Sequence, residues 1–135
     1  MATKAYTDLE QSRKLAEILP IESADMFYNE EPDETCPKDI VDTKYPMVIR
    51  EGQKHYLEEY GIPCWSLSSL ISVLPDEITD DGDVYRNMFF HSKGKYIIQY
   101  PRLTTLWPSL LYVETDNPVD AAFEMIVKLH EFKML

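Results

Sequence analysis

The sequence predicts a small α+β domain in which an antiparallel sheet, a three-stranded meander with one or two further short strands, packs against about three helices. Three observations predict it. Apolar residues recur at helical spacing in three separate segments, each bounded by a capping residue or a proline. Two β-rich runs, 84–91 and 95–100, flank Ser92-Lys93-Gly94, and a third follows at 109–114. The chain has 135 residues and is 44% hydrophobic, enough for one core without disulfide or metal. A single domain over 1–135 is the expectation, interrupted by a long acidic loop at about 29–46.

The first helix is expected over 7–18. Thr7-Asp8-Leu9-Glu10 reads as a capping box, with the Thr7 hydroxyl on the first turn and Glu10 reaching back. Leu9, Ala16 and Leu19, with Leu15 and Ile18, form its apolar stripe, and Pro20 stops it. Residues 29–46 carry Pro32, Pro37, Pro46 and many acids with little periodicity, so they read as a loop. Met26-Phe27-Tyr28 and Met47-Val48-Ile49 on its flanks are candidate short strands. A second helix is expected within 63–75, capped by Ser66 and closed by Pro75. Its buried face is Leu67, Leu70, Ile71 and Leu74, and Trp65 packs beneath its first turn. Residues 76–83 read as an acidic turn broken by Gly82. The meander follows, with Gly94 supplying the left-handed conformation of a short hairpin loop. The last helix starts at Asn117-Pro118, a cap followed by a proline suited to the first turn, and runs to about Phe132. Its stripe is Val119, Ala122, Phe123, Ile126 and Leu129.

Charge narrows the function classes. The net charge is -11. Glu22, Asp25, Glu30, Glu31, Asp33, Glu34, Asp39 and Asp42 stand against Lys38 alone, and Asp76, Glu77, Asp80, Asp81 and Asp83 against no base. Such a surface repels phosphate backbones, so direct nucleic-acid binding is not expected, and a basic protein partner is. Acidic loops also keep a protein soluble, which is the plainer reading of the same residues. No apolar run approaches the roughly 18–20 residues that span a bilayer, so no membrane association is expected. The N-terminus lacks the apolar core of a signal peptide. Cys36 and Cys64 read as reduced thiols of a cytoplasmic protein, and sequence does not fix the separation on which a bridge would depend.

Three blocks, YTDLEQSRKLAEILPIESADM (6–26), PCWSLSSLISVLP (63–75) and PVDAAFEMIVKLHE (118–131), cover about a third of the chain. In these blocks the chain resembles a family of short proteins of gut bacteria, of unknown activity, often encoded near phage or mobile-element genes. The resemblance implies a bacterial cytoplasm and a mobile-element context. It brings no catalytic or ligand residues.

Catalytic and metal motifs are weak. DEITDDGD (76–83) has a superficial likeness to a calcium loop. With Gly82 at the sixth position, however, Met88 falls where the bidentate glutamate belongs. His55, His91 and His130 are isolated, and the His55/Glu58 pair alone is not a site. Cys64 with His55 or His91 is the one arrangement that suits a thiol nucleophile. A cysteine beside Trp65 at the head of an apolar helix is more commonly core. Gly52, Gly61, Gly82 and Gly94 are too scattered to cradle a phosphate. No cofactor, metal or catalytic residue is therefore assigned.

Aromatic residues point elsewhere. Tyr85, Phe89, Phe90, Tyr96, Tyr100, Trp107 and Tyr112 crowd the meander. Alternation places Tyr85, Phe89 and His91 on one face, opposite Met88 and Phe90, and sets Tyr96, Ile98 and Tyr100 against Ile97 and Gln99. If helices cover one face, the other presents an aromatic surface. The expected function is therefore non-catalytic binding, inhibitory or accessory. The contact residues would be Asp76, Glu77, Asp80, Asp81, Asp83, Tyr85, Phe89, Tyr96 and Tyr100. An acidic DNA mimic that blocks a DNA-binding enzyme is one alternative, and a small enzyme with a Cys/His site is the other.

Overall fold

A computed structural model describes residues 4–29, 45–49 and 61–135. Most of the acidic 29–46 stretch, Cys36, His55 and Glu58 lie outside the described residues. The fold is α+β, with three α-helices and antiparallel sheets of three, two and three strands among the described residues. The chain divides into two compact units, residues 6–69, and 70–135 with the N-terminal five.

In the first unit, helix α1 is Leu9–Ala16. Its cap lies one residue beyond the expected one. The Asp8 carboxylate accepts from the Gln11 N–H at 2.8 Å, and the Gln11 side chain takes the Asp8 N–H at 3.1 Å. Thr7 instead turns inward and is fully buried. The reason is backbone pairing: Thr7 N–H donates to the Trp65 carbonyl at 2.9 Å, which commits Thr7 to the core side. The inward stripe consequently runs through Ser12, Leu15 and Leu19, while Ala16 faces water. Ser12 escapes a hydropathy reading because it is polar, and the Thr7 hydroxyl satisfies it at 2.8 Å.

After a 3₁₀ turn at Ile21–Ser23 come β1 (Met26–Asn29), β2 (Met47–Val48) and β3 (Gly61–Cys64). They form one sheet in the order β2-β1-β3, so both candidate strands pair with each other. Met26↔Cys64 and Tyr28↔Ile62 set the register of β1 on β3. Pro63 and Cys64 thus lie on the strand that precedes the Ser66 cap. Pro63 lacks a ladder donor, and the chain turns helical only at Leu67. Tyr28, Ile62 and Cys64, with Tyr6, Leu9 and Met26, pack as the core of this unit.

Helix α2 spans Leu67–Val73. The Ser66 hydroxyl accepts from the Ser69 N–H at 3.3 Å, the cap the sequence predicts. Leu70 and Leu74 are buried, but Ile71 is exposed, so the inward face is narrower than its spacing implies.

The second unit opens with a hairpin where the sequence reads as an acidic turn. Strands β4 (Glu77–Asp80) and β5 (Asp83–Arg86) pair antiparallel, joined only by Asp81-Gly82. Both turn residues have positive φ, 50° and 84°, the geometry of a type I′ turn, for which Asp-Gly is favoured. The 84–91 run is not one strand. Asn87 N–H extends the β4–β5 ladder by one more bond, to the Asp76 carbonyl at 2.8 Å, and only beyond it does the chain change sheets, where β6 (Met88–Ser92) joins β7 (Lys95–Pro101). A second positive-φ pair, Lys93-Gly94, links them. Strand β8 (Ser109–Thr115) completes the meander in the order β6-β7-β8. Its register on β7 shifts between Gln99 and Pro101, because Leu110 and Leu111 oppose Tyr100 alone.

Helix α3 is Pro118–Glu131. The Asn117 side chain accepts from the Val119 N–H at 2.8 Å, as the sequence predicts. α3 packs on β7 and β8 through Val119, Ala121, Ala122, Met125, Ile126 and Leu129. Ala121 and Met125 join the buried face, and Phe123 is only half-buried.

Candidate interaction surface

Register decides which face of the meander is open. Phe89, Ile98 and Val113 align in one row, and Met88, Gln99 and Tyr112 in the row that points the opposite way. Ile98 and Val113 are buried beneath α3. Tyr112 and Met88 are 47% and 39% exposed. The accessible part of the meander is therefore the row of Met88 and Tyr112, although Ile97 on the same face is buried, and not the row of Tyr96 and Tyr100.

Most of the expected contact residues change meaning in consequence. Tyr100 is wholly buried, and its hydroxyl donates to the Pro75 carbonyl at 2.7 Å. Burial pushes its phenol up to about 12. Tyr85 is buried opposite Ile78 in the hairpin, because the change of sheet after Asn87 removes it from the meander. Tyr96 is half-buried and stacks on His91 at 4.4 Å. Phe89 keeps partial exposure because β6 is an edge strand. Among the acids, Glu77 is tied to Arg86 at 2.8 Å and Asp83 to Arg102 at 3.0 Å. Asp76, Asp80 and Asp81 have no ion-pair partner among the described residues.

The most exposed large apolar side chain among the described residues, Trp107, belongs to the connection between β7 and β8, with Leu103 and Leu106 exposed beside it in the chain. The start of that connection is fastened to the hairpin: Leu103 N–H donates to the Val84 carbonyl at 2.8 Å, beside a Tyr85↔Arg102 bridge. The loop closes on itself through the Leu106 N–H to the Arg102 carbonyl at 2.8 Å, and the Thr105 hydroxyl donates to the Trp107 carbonyl at 2.6 Å. Leu106 has φ 60°, a conformation that costs an L residue roughly 1–2 kcal/mol. Nothing is regained by burial, since Leu106 is 63% exposed and Trp107 77%. The Trp107-Pro108 peptide is cis.

An open cleft of about 450 Å³ lies where this loop meets the sheet, lined by Gln99, Trp107, Pro108, Ser109 and Tyr112. Two aromatic side chains wall a polar floor. Ser109 donates to Gln99 Oε1 at 2.9 Å, and Gln99 Nε2 faces the Met88 sulfur at 3.5 Å. The Tyr112 hydroxyl donates to Glu114 Oε1 at 3.3 Å. Partial burial, then the Glu114 charge, raises that phenol above its ordinary range. Sequence reasoning names Trp107 and Tyr112 only as part of an aromatic crowd. The signal it could have used is that Leu103, Leu106 and Trp107 belong to no periodic segment and so have no predicted core to enter.

The cysteine site is of another kind. Cys64 is a free, fully buried thiol. Burial raises its pKa, while hydrogen bonds from Thr7, Ser12 and Tyr28 pull the other way. Its sulfur lies 3.4 Å from the Thr7 carbonyl and 3.5 Å from the Thr7 hydroxyl. A thiol kept protonated and closed to water is a poor nucleophile. Among the described residues no three His, Cys, Asp or Glu side chains converge as metal ligands. No helix among them is long and apolar enough to cross a membrane. In comparisons with family models, curated proteins and solved structures, the chain matches none.

Proposed function

We propose that this chain is a non-catalytic protein-binding module, inhibitory or accessory, that docks a basic partner on the open meander face and the 102–108 loop. The observation that carries the reading is the exposure of Leu106 and Trp107 beside Tyr112 and Met88, apolar surface fixed in place by a hydrogen-bonded loop. Exposed aromatics of this kind anchor protein interfaces. The uncompensated Asp80 and Asp81 stand at the tip of the hairpin to which the loop is fastened. They would speed encounter with a basic surface and lend it ionic-strength dependence.

A bacterial cytoplasm and a mobile-element setting accord with the three sequence blocks at 6–26, 63–75 and 118–131. A DNA mimic is less favoured, because two of the five hairpin acids, Glu77 and Asp83, are already neutralised by arginines of the same chain. A Cys/His enzyme is less favoured because Cys64 is sealed in a core.

The test is affinity capture from a gut-bacterial lysate with the intact chain and with a Leu106→Ser/Trp107→Ala double variant. The expected result is a basic protein retained at low salt, weakened as salt rises past about 0.15 M, where screening shortens to about 8 Å. The double variant should lose it. Retention indifferent to both substitutions and salt would overturn the reading.

A further inference from the structure

We propose that the Trp107–Tyr112 cleft receives the cationic head of an arginine or lysine side chain presented on a peptide segment of the partner. The proposal rests on the docking reading above and names what the cleft recognises.

The lining is mainly apolar and aromatic, with an anionic side chain close by, which suits the head of a cationic side chain. Trp107 and Tyr112 supply π surface, which attracts ammonium and guanidinium groups through the negative faces of the rings. Among the described residues no cation of this chain lines the cleft. The lysines of the neighbouring elements have partners of their own: Lys95 pairs with Asp116, and Lys128 is held on the main-chain carbonyl of Tyr112 at 3.0 Å, not on its ring. Glu114, one row along the same face, is exposed. Its carboxylate accepts from the Tyr112 hydroxyl and lies within the field of Lys95, without a direct ion pair among the described residues. It therefore extends the aromatic wall with an anionic end. An anionic ligand would meet that carboxylate and a chain of net charge -11.

The floor argues for a peptide rather than a free amine. Ser109 already satisfies Gln99 Oε1, so the amide is held with Nε2 as its available donor. The acceptor that Nε2 faces is a thioether, among the weakest in proteins. A main-chain carbonyl of the incoming segment would replace it, while the same segment's cationic side chain lies against the rings.

A Gly-Arg repeat peptide and its citrulline counterpart test this, since citrulline keeps the shape of arginine and loses its charge. The readouts are indole NMR signals and fluorescence quenching. The two tryptophans separate cleanly, because Trp65 is buried and Trp107 exposed. The expected result is a shift of the Trp107 signal alone, with citrulline binding about tenfold more weakly. Trp107→Ala and Tyr112→Ala should each weaken the arginine peptide several-fold, and Trp107→Phe should retain most of the affinity. Glu114→Gln should weaken it more than Asp80→Asn, which distinguishes the cleft from the general acidity of the chain. Equal binding of both peptides, an unmoved Trp107, or preference for a neutral proline-rich peptide or oligosaccharide would overturn the proposal. If lysate capture still depends on Leu106 and Trp107 in any of those cases, the docking surface stands and only the cation fails. If capture fails as well, both fall.

Discussion

At the scale of single residues, burial reverses the role read for Thr7. A cap hydroxyl is solvated and easily exchanged, but here it accepts from the Trp65 N–H at 3.1 Å and meets Ser12 at 2.8 Å in the core. The Tyr28 hydroxyl donates to the Thr7 carbonyl at 2.7 Å. Thr7→Val keeps the shape and orphans two buried groups, so it should cost about 3 kcal/mol in denaturant unfolding. Asp8→Ala, which removes the real cap, should cost about 1 kcal/mol. If the order is reversed, the cap lies at Thr7 after all. Tyr100 gives a prediction with a defined pH window. Its folded pKa is raised, so the stability it contributes is complete below about 10 and falls away as pH climbs to about 12. Tyr100→Phe should flatten that alkaline slope in thermal unfolding. It should also cost about 1 kcal/mol at neutral pH, because the Pro75 carbonyl loses its donor.

At the scale of elements, the segments with strong local signals were legible: α3 behind Asn117-Pro118, α2 behind Ser66, and the β6-β7-β8 meander. The β4-β5 hairpin was not, although its Asp-Gly turn is a favoured hairpin signal. Its acids masked it. Only Ile78 of β4 is buried, so alternation has a single apolar point to show, and pairing with β5 supplies the rest. The 84–91 run failed in the opposite sense, since nothing in its composition announces that pairing with β4 extends to Asn87 and that the chain changes sheets after it. That change of sheet also removed Tyr85 from the expected aromatic face. The two turns now carry a test. Gly82 and Gly94 sit at φ 84° and 76° with no atom within 4 Å of an added Cβ. Gly82→Ala and Gly94→Ala should therefore each cost roughly 1–2 kcal/mol from backbone conformation alone, with little crowding. Asn at either position should cost less, because Asn tolerates left-handed geometry. A loss well beyond this range would mean that the turns are packed against something.

At the scale of the whole molecule, acidity and exposed apolar surface explain each other. A face carrying Leu103, Leu106, Trp107, Met88 and Tyr112 would promote self-association in a neutral protein. A net charge of -11 opposes it by repulsion between copies. The sequence disclosed the charge directly, but it could not disclose which sheet face the charge protects, because that depends on the register of β6, β7 and β8 under α3. The consequence can be measured by light scattering against pH. The protein should stay monodisperse near neutrality and associate as pH approaches the isoelectric point of about 4.6, where repulsion vanishes. The Leu106→Ser/Trp107→Ala variant has the same charge and the same isoelectric point, so charge alone predicts no difference between the two proteins. If the loop and the open face supply the sticky surface, the variant should remain dispersed closer to that pH, with an unchanged unfolding midpoint at neutrality. Identical scattering curves would mean that association proceeds through some other surface, and the exposed loop would lose its standing as the adhesive part of the molecule.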